Sequence, residues 1–477
     1  MKKYILPVLI LALSLSLNAQ NEQDALRLSQ IFHGGSARSL GMGGAIGAVG
    51  VDFGAIAINP AASGLYRRGD FSMTTGFSNV STDANFLDTK SNDAAYSMNL
   101  NQIGFVMPFK TRSGSDFGIK GLNFSFGYNK LRDYNQNIVM SGINQNNSLV
   151  DEFVYTANMN DDWDPFTDEL AWETWLIDYD SIAGVFYSDF DISGYGQTQR
   201  RSVQTSGSLG EYVFNLGANV GDKVYFGGSF GIQRYRYEET WVHTELDPDD
   251  IIDYFESFRF SNQLETQGSG FNAKFGVIAQ PVSWIRVGAS IHTPTFFNLK
   301  DNFTSSMHTD LADGEPTHEY TAYGEFDYEI TTPFRAIGSV AFFYKNRAML
   351  SLDYEFVDYS NARLSGDNYE FYDENQAVSN RYGTASNLRV GAELVFAPFY
   401  VRAGYSLYGS PYVAGEANEN MVNTSISGGL GFRTNRISLD FAIVQSSWEQ
   451  QYYLYGSNAA TLDASAMRFV GTLGFRF

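Results

Sequence analysis

From about Phe71 to its last residue the chain repeats one pattern, apolar and polar residues alternating with a period of two. Ile285, Val287, Ala289 and Ile291 alternate with Arg286, Gly288, Ser290 and His292. Ala348, Leu350, Leu352, Tyr354 and Phe356 alternate with Arg347, Met349, Ser351, Asp353 and Glu355. Leu388, Val390, Ala392 and Leu394 alternate with Arg389, Gly391 and Glu393. That period sends successive side chains to opposite faces of a strand. The chain must therefore build a sheet with one apolar and one polar face. A mean hydropathy of −0.22 excludes a bundle of membrane helices.

Fourteen such stretches begin near Phe71, Ala94, Leu122, Gly207, Lys223, Leu264, Trp284, His318, Arg347, Asn387, Phe399, Met421, Arg436 and Ser465. On one side they are joined by tight turns, at Gly221-Asp222, Pro281-Val282-Ser283, Lys345-Asn346, Ala397-Pro398 and Thr434-Asn435, and by a longer turn from Phe109 to Lys120. The other side carries the large connections, around 83–93, 142–206, 241–263, 357–386 and 409–420, with shorter ones near 308–317 and 456–464. An even strand count with short turns at one end and long loops at the other marks an outer-membrane barrel. A soluble sandwich would mix long and short connections at both ends. An aromatic content of 16% suits the girdles at two membrane interfaces. The expected fold is all-β: a 14-stranded antiparallel transmembrane β-barrel over 71–477. Its outer-membrane lipid contacts lie on one face, and Arg286, His292, Asp353, Glu355, Arg389 and Glu393 face the lumen. Both signs occur among these, so they can pair away from bulk water.

Two segments precede the barrel. Lys2 and Lys3 followed by an apolar run from Ile5 to Leu17 and Asn18-Ala19-Gln20 read as a signal peptide, 1–19. The run is shorter than the roughly 20 residues a membrane helix needs. Residues 20–70 lack strand periodicity and are rich in glycine, yet keep Leu40, Met42, Ile46, Val49, Phe53, Ile56 and Ile58. A polar linker would not carry these. A compact plug inside the barrel would, with its glycines permitting close packing.

The block Ala37-Arg38-Ser39-Leu40-Gly41-Met42-Gly43-Gly44-Ala45 and the triplet Asn59-Pro60-Ala61, followed by such strands, resemble the FadL-type outer-membrane transporters of long-chain fatty acids and aromatic hydrocarbons. The resemblance implies that 20–70 is a hatch, with Gly41, Gly43, Gly44, Asn59, Pro60 and Ala61 at the gate. It implies capture of a small hydrophobic ligand at external loops, a lumen pocket, and exit past the hatch or through the wall, for which a kink near Gly127 to Asp133 is the candidate. The final strand ends in Phe477, which resembles the signal read by the barrel-assembly machinery during biogenesis.

In the loop 142–206, Asp164 can cap a helix, Pro165 suits its first position, and Asp168 and Glu169 favour its positive end. Trp172, Trp175, Leu176 and Tyr179 then follow at i, i+3, i+4 and i+7, one helix face. With Phe166 they form either a capture surface for a greasy ligand or the face that packs the loop onto the rim. The segment 142–196 also holds twelve acidic residues, Asp151 to Asp191, and neither Lys nor Arg. Such a field repels carboxylates, so either the cargo is neutral or weakly anionic, or divalent cations bridge the loops.

Other classes fall away. With 32 Lys plus Arg against 53 Asp plus Glu, a nucleic-acid partner is excluded. No cysteine means no thiolate chemistry. Gly227-Gly228-Ser229-Phe230-Gly231 matches G-x-S-x-G but sits inside a strand rather than a strand–turn–helix. The five histidines, His33, His243, His292, His308 and His318, show no metal spacing. No enzyme and no cofactor are expected. The alternative function is the barrel subunit of a secretion system, a PorV-like shuttle that binds proteins. A nonspecific porin stands third.

Overall fold

The computed structural model describes residues 21–32, 34–111, 118–159, 163–312, 318–345, 347–367, 369–456 and 458–477. The expected signal peptide, His33, and Asp161 and Asp162 lie outside them. Fourteen antiparallel strands close into a transmembrane β-barrel: β1 (Asp70–Phe86), β2 (Thr89–Lys110), β3 in two segments (Ile119–Asp133 and Gln136–Ile143), β4 (Thr198–Val220), β5 (Val224–Leu246), β6 (Phe255–Val282), β7 in two segments (Ile285–His292 and Phe296–Leu311), β8 in two segments (His318–Thr331 and Arg335–Tyr344), β9 in two segments (Ala348–Asp358 and Arg363–Ser365), β10 (Thr384–Phe396), β11 (Phe399–Tyr408), β12 (Asn423–Arg433), β13 (Ile437–Tyr455) and β14 (Asn458–Arg476). Each strand pairs with the next, and the register Asp70↔Arg476 to Asn85↔Thr461 closes β14 onto β1.

The alternation sorts the side chains as expected. Tyr212, Phe214 and Leu216 of β4 and Phe226, Phe230 and Ile232 of β5 face outward and exposed, beside Phe271 and Phe275 of β6. This is the apolar belt that lipid covers. The strands do not stop at its upper edge. Above Tyr212↔Ile232 the ladder continues through Gly210↔Arg234 and Ser206↔Glu238 to Thr198↔Leu246. Three expected loops shrink accordingly: 83–93 is the turn Leu87–Asp88, 241–263 reduces to the eight residues between Leu246 and Phe255, and 456–464 to the two between Tyr455 and Asn458. Polar outward residues marked a loop in the sequence, but in water they cover a sheet equally well, here with Arg236 paired to Glu238 and Glu265.

Residues 21–66 fill the lumen as α1 (Glu22–Ser29), α2 (Ala37–Gly41), α3 (Phe53–Ile58) and a 3₁₀ turn (Pro60–Leu65). Each start has its cap. Asn21 accepts from Gln23 N at 2.9 Å while its own N–H donates to Asp24 at 3.0 Å. Ser36 accepts from Ser39 N at 3.0 Å, Asp52 from Gly54 N at 2.9 Å and Asn59 from Ala61 N at 3.0 Å. The Ser36 hydroxyl also donates to Asp52 at 2.6 Å, tying the caps of α2 and α3 together. Helices this short hold only through such caps and through burial.

The long loop after β3 carries α4 (Val150–Met159), α5 (Asp168–Glu173), a small hairpin (Asp178–Asp180 with Val185–Tyr187) and α6 (Asp189–Ser193). Its Leu149, Val150, Phe153, Leu170, Leu176 and Phe190 share one apolar core with inward residues of the wall, among them Phe86, Met140, Phe258, Phe260, Met307 and Leu462. The loop is thus a lid folded into the outer mouth. The loop after β9 carries α7 (Tyr372–Arg381), which packs on α1 through Val378.

Candidate functional site

The plug is held by the lumen polar residues. Arg38 of α2 grips Glu393 of β10 with two bonds of 3.1 Å, and Arg402 donates to the same carboxylate at 2.6 Å. Asp353 accepts the Gly47 N–H at 3.0 Å, Arg286 donates to Val49 O at 2.7 Å, and the His292 Nε2 lies 2.9 Å from Ile58 O. Glu355 sits between Arg335 at 2.8 Å and Arg389 at 3.0 Å. All six expected lumen residues therefore face inward, and they clasp the plug or one another.

Gly41 and Gly43 lie where plug and wall meet backbone to backbone, and Gly44 faces the Arg389 side chain. Gly43 has φ +63°, and a Cβ there would sit 2.8 Å from the Tyr405 backbone. Only glycine fits without strain. At the inner end the Asn59 amide donates to Val277 O at 3.2 Å, and Pro60 O accepts from Asn215 at 3.1 Å. Ala61 is fully buried. A Cβ at Gly276 of the wall would fall 2.0 Å from the Asn59 side chain, so the wall is built around the triplet.

Above this seat an inner cavity of about 380 Å³ opens between α1, α2 and the wall. Leu26, Ile31, Phe32, Leu40, Val444, Tyr408 and Tyr452 line it, with Arg132 and Arg468 among the polar groups. Arg132 is already engaged, donating to Arg27 O at 2.9 Å and lying 5.3 Å over the Phe32 ring. An outer cavity of about 330 Å³ sits under the lid, lined by Phe166, Trp241, Phe303 and polar groups of α1 and the loops.

Near the inner cavity the wall is discontinuous. The β2–β3 ladder runs from Lys110↔Gly121 to Gln102↔Asn129 and ends there. An irregularity in the β3–β4 register at Leu131 follows, and β3 resumes at Gln136, paired to β4. Beyond Gln102 side chains span the seam: Asn99 donates to Asp133 at 2.7 Å, and Asn137 to Ala94 O at 3.3 Å. A small recess lined by Phe77, Asn99, Lys130, Asp133 and Arg468 joins outward and lumen residues at this level. The expected kink at Gly127 to Asp133 thus starts two residues further along, past Asn129.

The capture loop corrects the expected helix. α5 begins at Asp168, with Thr167 at its cap position, and ends at Glu173; Asp164 instead accepts from Phe166 N at 2.9 Å in a turn ahead of it. Trp175 has φ +60° and closes the helix, its N–H donating to Trp172 O at 3.0 Å and the Leu176 N–H to Ala171 O at 2.9 Å. That reversal breaks the i, i+3, i+4, i+7 stripe. Leu176 turns into the lid core, Trp172 stacks edge-on to Trp163 and Phe186, and Trp175 (58%) and Tyr179 (44%) stay exposed. Phe166 packs on Phe303, ring centroids 4.8 Å apart, at the outer cavity.

Sequence reasoning missed the cavity residues Arg132, Tyr134, Tyr237, Glu239, Tyr408 and Tyr452. The available signal was the alternation of Tyr235, Tyr237, Glu239 and Trp241 continuing one lumen-facing row past the lipid belt.

Neither a protein family nor a curated protein matches the sequence. Solved structures do resemble the fold. The P. putida toluene transporter TodX superposes with a TM-score of 0.53 at 12% identity, covering 94% of this chain and 99% of that one. A Pseudomonas aeruginosa FadL homologue gives 0.52 at 14% identity over 93% and 98%. The CymD monoaromatic hydrocarbon channel gives 0.51 at 12% identity over 94% and 98%. With a closed 14-stranded barrel and a helical N-terminal segment seated in its lumen, the chain has the fold of the FadL-type barrels.

Proposed function

We propose that the protein is an outer-membrane channel for diffusion-driven uptake of small hydrophobic molecules, gated by the N-terminal hatch. One observation carries this reading: an aromatic and aliphatic cavity of about 380 Å³ lies directly on the plug and next to the interrupted β2–β3 seam. A hydrophobic solute cannot cross the polar outer surface unaided. The apolar part of that cavity gives it a place to rest, and the seam beyond Gln102 gives it a sideways exit held by a few side-chain hydrogen bonds. The FadL-like fold supports the same reading. The lid, with Phe166, Trp172, Trp175 and Tyr179, is the capture surface, and Gly41, Gly43, Gly44, Asn59, Pro60 and Ala61 seat the gate. Native mass spectrometry after gentle extraction tests the proposal. A hydrophobic molecule retained at one per barrel, and lost when Leu40 and Val444 are changed to Asp, is the expected result. Persistent co-purification with secreted proteins and an empty lumen would replace it with the shuttle reading, which the exposed Met159, Ile182 and Ile192 of the lid would then serve.

A further inference from the structure

Resting on the uptake reading, we infer that Glu239 sets the charge selectivity of the passage, slowing anionic hydrophobes relative to uncharged ones. The outer and inner cavities share six lining residues, Gln23, Arg27, Glu239, Tyr412, Gln450 and Tyr452. These form the neck between the lid and the lumen. Two of the six are charged, and they differ in how they are satisfied. Arg27 is ion-paired to Asp24 on the same helix and lies 3.9 Å over the Tyr237 ring. Glu239 accepts the Tyr237 hydroxyl at 2.5 Å, and no cation of the described residues pairs with it. Its carboxylate lines both cavities.

The charge changes sign across that neck. The outer cavity is lined by Asp24, Glu239 and Glu416 against Arg27 and Arg381, one excess negative charge. The inner cavity is lined by Arg27, Arg132 and Arg468 against Asp133 and Glu239, one excess positive charge. Outside both, Glu173, Asp178, Asp180 and Asp191 of the lid are exposed. A carboxylate therefore meets repulsion on approach and attraction once inside. The discrimination against anions is in the rate of entry, set at the neck before the positive inner cavity is reached. An uncharged molecule of the same shape crosses without either effect, and an ammonium is speeded at the neck.

Stopped-flow tryptophan fluorescence on the whole protein in nonionic detergent tests this with three isosteric probes, 4-octylbenzyl alcohol, 4-octylbenzoate and 4-octylbenzylammonium. At low ionic strength the wild type should bind the ammonium fastest and the benzoate slowest. The ranking should collapse in salt high enough to shorten the Debye length to about 3 Å. Glu239→Gln should raise the benzoate-to-alcohol ratio of association rates, on the order of three- to tenfold. Because Glu239 also lines the inner cavity, the variant should tighten benzoate binding as well, with the Kd of the alcohol unchanged. Glu319→Gln, on the exposed outer face of β8, should leave the ratio where it was. Equal wild-type rates for benzoate and alcohol at low salt overturn the inference, as does a Glu239→Gln variant that shifts Kd without shifting the rate ratio. Binding of all three without a charge ranking sinks this inference alone. Binding of none sinks the uptake reading with it.

Discussion

Arg38 ties the plug to the barrel wall through a single side chain. It leaves the plug, enters the row of lumen charges and shares Glu393 with Arg402, all three buried. The pair is weak grounds for stability as such, because two desolvated charges only offset their own burial. Its asymmetry matters more: removing one partner strands the other. Glu393→Gln should cost about 3–5 kcal/mol of plug stability. Hydrogen exchange should show this as faster exchange of the amides of residues 36–48, with the wall strands unchanged. Unaltered protection across α2 would mean that the glycine contacts alone hold the plug. These lumen residues were legible in the sequence because a period of two fixes which face a strand residue takes, whatever its neighbours. Glu239 and Arg132 follow the same period. They went unread because they stand above the lipid belt, where the wall is polar on both faces and alternation loses its contrast.

The elements outside the membrane were read less well, for a local reason. Helix, turn and strand differ little in hydrophobic pattern over six residues, and Trp175 ends α5 in a left-handed conformation usually given to glycine. Nothing in its type announces that. The same geometry separates capture from packing. Trp175→Gly relieves roughly 1–2 kcal/mol of left-handed strain and removes an exposed ring, so uptake should fall while lid protection holds or rises. Leu176→Ala, in the lid core, should destabilise the lid by about 2–5 kcal/mol. If Trp175→Gly takes up substrate at the wild-type rate, the exposed ring is not the landing surface.

The lid also carries its own pH response. Burial pushes the Asp151 carboxyl up to about 6 and raises Glu152, Asp168 and Asp189 as well. The unfolded carboxyls titrate near 4, so the folded lid binds more protons between those values. Its stability is then greatest below the unfolded value and falls as pH rises through 6. Protease nicking of residues 144–197 should accordingly be slower at pH 5 than at pH 7, after correction for the protease's own pH profile. Faster nicking at pH 5 would show that other groups dominate.

For the barrel taken together, the strand count and its closure were readable because fourteen alternating stretches leave few other architectures. The break after Gln102 was legible only as the kink expected near Gly127 to Asp133, since no proline or glycine marks residues 130–135 where the ladder gives way. On the proposed uptake reading, the plug closes the bore and the break is the sideways exit. Deleting residues 21–66 should convert single-channel records in planar bilayers from closed to steadily conducting, because the lumen side chains cannot fill a bore of this size. A wild-type protein that already conducts steadily, with no increase on deletion, would reassign it as an open porin.

The meeting of Gly43 with the Tyr405 backbone, and of Gly41 with the Gly429 backbone, limits how such a molecule can change. Surfaces matched through main chain alone have no rotamer to adjust, so neither partner can drift by itself without a collision. Stopper and cylinder must be inherited as one unit: a foreign hatch spliced onto these strands would be rejected by the first added methyl group, whatever charges it brought along.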